Sequence, residues 1–208
     1  MSAGVGLNIH DKKGKEDKPM NKMIKKVLVG VMAATMMLGS VSTAFAAVGS
    51  ATVSVEPEKQ SGVKAEKTST GITPTVNTRA DGTATVTEVK KTSKKSVTIS
   101  KTVTVDGVDY KVTKVAAGTF DNCTKVKTIT LPSTITTIGS EAFTGVSSTL
   151  KTIKINSTKK VTVSKNAFKD VDTKKMTITV TKNMSSKDYK ALKKALKAAG
   201  FKGTIKRA

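Results

Sequence analysis

The sequence predicts a mainly β protein: a short repeat solenoid with a β-hairpin lead-in and a C-terminal capping helix. Three observations predict it. Between Thr83 and Val105, β-branched residues alternate with polar ones at a period of two, the pattern of half-buried strands. From Val112 onward a motif of about two dozen residues recurs, with phenylalanines at 120, 143 and 168 spaced 23 and 25 apart. After the last copy, Tyr189, Leu192, Leu196 and Ala199 fall at helical spacing.

The chain begins with material read apart from that fold. Residues 1–19 form a polar extension, which makes Met20 or Met23 an alternative translation start. Residues 20–46 read as a signal peptide. Lys22, Lys25 and Lys26 precede a 12-residue apolar run, Val27 to Leu38, and Ala44-Phe45-Ala46 supplies the small-x-small cleavage pattern. The run is shorter than the ~20 apolar residues that span a bilayer, so no integral membrane span is expected after processing. Residues 47–80 are rich in Ser, Thr and Lys and poor in large apolar residues, and are expected to be a disordered tether.

The region 81–182 carries the β lead-in and the repeats. Asp106-Gly107 sits between two alternating runs, a signal for a hairpin with positive φ at both central residues. The repeats stack as Val112-x2-Val115-x4-Phe120-x2-Cys123-x2-Val126-x2-Ile129-x-Leu131, then Ile135-x2-Ile138-x4-Phe143-x2-Val146-x3-Leu150-x2-Ile153-x-Ile155. A weaker third copy runs through Val163, Phe168, Val171, Ile178 and Val180, with Lys175 at the leucine position. One copy cannot close a core, whereas stacked copies bury one continuous seam. Residues 183–208 cap it. Ser185 and Asp188 have capping-box spacing, Gly200 offers a left-handed stop, and Phe201 and Ile205 return the chain as a last strand.

These motifs, above all VAAGTFDNCTKVKTITLPSTITTIGSEAF (115–143), resemble the BspA-like leucine-rich repeats of secreted bacterial proteins. The resemblance covers about residues 81–182. It implies a leucine-rich-repeat solenoid, a secreted or cell-surface location and a role in protein binding, since the family includes adhesins that contact host matrix or mucosal surfaces.

Charge and residue inventory set the function classes. The chain holds 37 Lys+Arg against 15 Asp+Glu, a net +22. Residues 1–46 account for seven of the basic and three of the acidic side chains, so the chain from Ala47 keeps 30 and 12, a net +18. They also hold the sole histidine, His10. Without histidine there is no Ser-His or Cys-His pair and no His-based metal site. Cys123 is read as a small buried hydrophobe of the repeat turn, the carboxylates are scattered, and Asp170 and Asp172 make at most a weak cation loop. No enzyme, cofactor or metal is expected.

Binding is the better reading. If each repeat contributes one strand to a common face, its outward residues form two ladders, Thr128-Thr152-Thr177 and Thr130-Lys154-Thr179, flanked by Lys127 and Lys151. Such a face suits hydrogen bonding to glycans or extended anionic polymers. All the basic residues but Arg79 and Arg207 are lysine, a hydrated point charge, so affinity should be diffuse and salt-sensitive. Nucleic acid is a poor partner, because aromatic stacking platforms are missing. The sequence therefore favours a secreted, adhesin-like protein for host extracellular matrix, mucosal glycoproteins or anionic polymers. The alternative is a structural envelope module held noncovalently on anionic wall polymers.

Overall fold

The structure, a computed structural model, describes residues 55–146 and 148–208. The extension 1–19, the signal segment 20–46 and residues 47–54 of the expected tether lie outside the described residues. The elements in chain order are β1 (Gln60–Lys64), β2 (Lys67–Thr68), β3 (Thr75–Thr78), β4 (Thr83–Glu88), β5 (Ser96–Thr98), β6 (Thr102–Val105) and β7 (Val108–Val115). They continue with β8 (Thr128–Leu131), β9 (Thr137–Ile138), β10 (Thr152–Ile155), β11 (Thr162–Val163), β12 (Thr177–Val180), α1 (Ser186–Ala198) and β13 (Thr204–Arg207).

Two sheets result. The lead-in sheet runs β1-β3-β4-β7-β6-β2, with β9 and then β11 extending parallel from the end of β7. The repeat sheet runs β13-β12-β10-β8-β5 and is parallel throughout. The β6–β7 hairpin forms as its turn dictates: Val105 faces Val108, and Asp106 and Gly107 take φ of 49° and 76°.

Each repeat gives one strand segment to each sheet and turns between them on its phenylalanine. Val115, Ile138 and Val163 stand in register in the first ladder. Ile129, Ile153 and Ile178 do so in the second, followed by Leu131, Ile155 and Val180. Apart from the half-buried Val163, these side chains are sealed in the core. Phe120 stacks on Phe143 at 5.7 Å between centroids, and Phe143 on Phe168 at 5.2 Å. Those distances follow from the ~4.8 Å step between neighbouring strands.

The third copy is as regular as the others. Lys175 is exposed, and Met176 beside it supplies the buried plug at 2% exposure. Its N–H donates to Thr173 O, as Val126 N–H does to Cys123 O in the first copy. Moving the plug by one residue keeps Thr177 paired with Thr152.

The C-terminal cap forms as read. Ser185 Oγ accepts from Asp188 N–H at 3.0 Å, and Leu192, Leu196 and Ala199 are buried. At the other end Gly200 takes φ of 97°, Gly200 N–H donates to Lys197 O and Phe201 N–H to Leu196 O. This is the glycine-terminated helix stop, with Phe201 and Leu196 as its apolar pair. Phe201 then packs against Phe168 at 5.2 Å, a fourth ring in the column.

Two expectations need correction. The tether assigned to 47–80 does not extend that far, because residues 60–78 build β1, β2 and β3. β3 pairs antiparallel with β4, and small side chains carry the burial: Ala65, Val76 and Thr78 are each at most 1% exposed. Main-chain pairing to an amphipathic neighbour replaces the large apolar residues whose absence suggested disorder. The run Ser96–Ser100 was expected in the lead-in. It instead lies parallel to β8 as the first strand of the repeat sheet, with Val97 in register with Ile129.

Candidate binding face

The repeat-sheet register builds the face residue by residue. Thr128 pairs with Thr152 and Thr152 with Thr177, while Thr130, Lys154 and Thr179 form the second row. The alternate residues are buried, so both rows stand on the outer surface; the threonines are half-buried and Lys154 is exposed. Flanking strands lengthen both rows, which the three-copy reading missed: Ser96 and Thr204 join the first, Thr98 and Lys206 the second.

Lys127 and Lys151 are exposed at the entry to their strands. Lys127 N–H donates to Lys95 O at 2.7 Å, Lys151 N–H to Lys127 O at 2.9 Å, and Thr177 N–H to Lys151 O at 2.9 Å. Lys95 is therefore a third member of the lysine column, one strand step from Lys127. No aspartate or glutamate occurs in any of the five strands. At their far ends a groove of about 550 Å³ is lined by hydroxyls and amides, among them Ser100, Thr130, Asn156 and Asn183. The face thus offers a cationic rim and a hydroxyl floor, and its far-end groove adds Lys101 to the hydroxyls and amides.

The groups weighed for catalysis are arranged differently. Cys123 is sealed at 0% exposure and its thiol donates to Val89 O at 3.7 Å. Burial, with the Asp121 carboxylate adding to it, pushes that thiol up to about 11. A neutral, enclosed thiol is a packing group. Asp172 accepts from Lys174 N–H at 3.2 Å, a local turn bond. Among the described residues no three potential ligands gather into a metal-holding group. No helix of the described residues is long and apolar enough to cross a membrane.

Residues 90–199 match the family model described as "BspA type Leucine rich repeat region (6 copies)". The chain belongs to the BspA-type leucine-rich repeat family. Among solved structures, a leucine-rich repeat protein from Bacteroides capillosus ATCC 29799 is similar at a TM-score of 0.50 and 20% identity. That likeness covers 70% of this chain and 98% of the other. A leucine rich cell surface protein from Faecalibacterium prausnitzii A2-165 matches at a TM-score of 0.41 and 23% identity, over 61% of this chain and 38% of that one. No curated protein matches in sequence. In BspA-type terms, the two parallel ladders and the phenylalanine column are the repeat, and β13 with α1 closes it.

Proposed function

We propose that this BspA-type protein is a secreted, non-enzymatic surface-interaction module whose repeat sheet holds anionic polymers, such as host-matrix or mucosal glycans. The observation that carries this reading is the acid-free face on which Lys95, Lys127 and Lys151 recur at one strand step beside in-register threonine rows. Lysines at ~4.8 Å intervals present a line of positive charge to a chain laid across the strands, and the hydroxyls meet its polar groups. The signal pattern at 20–46 supports action outside the cell. Solid-phase binding of the purified chain to mucin, matrix proteins and sulfated glycans tests it. Saturable binding at physiological salt is expected, and no binding to any of them would end the proposal.

A second reading, retention on anionic wall polymers, draws on the same charge. Lysine makes few geometric demands of its anion. Recovery of cell-associated protein only after a high-salt wash would favour it, and full recovery in medium at low salt would exclude it.

A further inference from the structure

Only two of the 37 basic side chains are arginine, and the structure uses them in opposite ways. The Arg207 guanidinium donates to Lys182 O and Met184 O and lies 5.1 Å over the Tyr189 ring, tying the C-terminal strand to the cap. Arg79 is exposed in the β3–β4 turn, where hydrogen bonds from Thr83 hold the Asp81 carboxylate below the usual carboxylate range and the Arg79 guanidinium, acting on it by charge alone, helps to do so. Its backbone is fixed: Arg79 N–H donates to Thr83 O, Gly82 N–H to Arg79 O, and Asp81 Oδ1 accepts from Thr83 N–H and Oγ1 at 3.0 and 2.6 Å.

That turn overhangs a groove of about 580 Å³ on the lead-in sheet, lined also by Lys59, Asn77, Thr85 and Lys114. A second hollow of about 420 Å³ shares Arg79, Asp81, Thr85 and Lys114 and continues over Thr113 and Thr137. Three cations, Lys59, Arg79 and Lys114, therefore line the groove with one carboxylate, Asp81, whose hydrogen bonds come from Thr83 and whose charge offsets only part of theirs. Asn77 Oδ1 accepts from Gly62 N–H at 2.7 Å, which fixes the amide and leaves its NH2 free to donate. A planar guanidinium on a rigid turn, flanked by two ammonium groups above a floor of hydroxyls, matches an oxyanion carried on a polyol.

We propose that this groove is a binding site for an acidic sugar, with Arg79 holding its carboxylate or sulfate through paired N–H donors. The site is separate from the repeat sheet and does not depend on that face binding polymer. Lysine in place of Arg79 keeps the charge and loses the fork, so the two contributions separate.

The test titrates the purified full chain with trigalacturonate, a sulfated disaccharide and neutral maltotriose, read by NMR shifts or calorimetry. Saturable binding of either acidic probe is expected, and whichever binds identifies the anion. Arg79→Lys should weaken it by about tenfold, the loss of roughly one charge-assisted hydrogen bond, with thermal stability unchanged. A Lys127→Ala/Lys151→Ala variant should bind these short probes as the parent does. Binding of neither acid, equal binding of maltotriose, or an Arg79→Lys variant as tight as the parent would each overturn the proposal. Loss of long-polymer binding alone, in the repeat-sheet variant, speaks only to the other face.

Discussion

Phe143 stacks on Phe168 with ring centroids 5.2 Å apart and planes within 14° of parallel. The pair sits mid-column, between Phe120 and the Phe168–Phe201 contact, so every turn of the solenoid leans on it. Phe143→Ala would leave a cavity bounded by two rings that the ladders hold in place. A loss of about 3–5 kcal/mol is expected, and Phe143→Leu should lose less. Urea denaturation of the three proteins checks the order.

Glycine and non-glycine residues are placed in the repeat turn against first appearances. Gly145 packs on the turn below it, where an added Cβ would lie 1.9 Å from Asp121 Cα. Gly145→Ala must displace backbone and should cost at least about 2 kcal/mol. Glu141, by contrast, carries a side chain at φ 53°. Its partner Lys169, at 3.1 Å, is an exposed contact, the kind worth little. Relieving the left-handed strain through Glu141→Gly should leave stability unchanged or raise it by up to ~1 kcal/mol. Melting temperatures of both variants test the contrast.

Cys123 gives a pH signature. Its thiol is raised from 9.0 to about 11 in the fold, so the neutral form is what the native state prefers. The contribution is fully present below pH 9 and is lost as pH rises towards 11. The comparison is with Cys123→Val, the residue that stands at this position in the next two copies. The stability of the parent relative to that variant should fall between pH 8.5 and 11 in thermal denaturation. A constant difference would contradict it. At pH 8 the native thiol should also resist iodoacetamide and react only on unfolding.

Much of this fold was legible because repetition samples the same physics several times. Val115, Ile138 and Val163 sit five residues before a phenylalanine, and that offset alone placed them in one ladder. The hairpin was legible in Asp106-Gly107, since few other pairs adopt two positive φ values. The tether boundary was not, because β1 and β3 are held by main-chain pairing and small buried residues such as Ala65, which leave no hydrophobic signature. Ser96–Thr98 was misplaced for a related reason: one alternating triplet cannot announce which of two sheets it joins. The left-handed positions two residues before each phenylalanine, Gly118, Glu141 and Asn166 at φ of 65°, 53° and 61°, share no residue type and so no motif.

The candidate face was legible in part. Its two rows follow from repeat spacing and strand alternation. Lys95 was missed because it lies in a lysine-rich run without a phenylalanine to index it. The Arg79 groove was missed entirely, since the strands that frame it fell in the supposed tether and in separate parts of the lead-in.

The most direct test is the salt dependence of binding to a long sulfated glycan, measured for the parent chain and for Lys127→Ala/Lys151→Ala/Lys154→Ala. These side chains are exposed, so folding should be preserved within about 0.5 kcal/mol. The expected result is weaker binding at every salt concentration and a shallower slope of log affinity against log salt in the variant, as counterion release falls with each lost contact. Equal affinity and equal slope in the two proteins would contradict a role for the repeat sheet in holding anionic polymers.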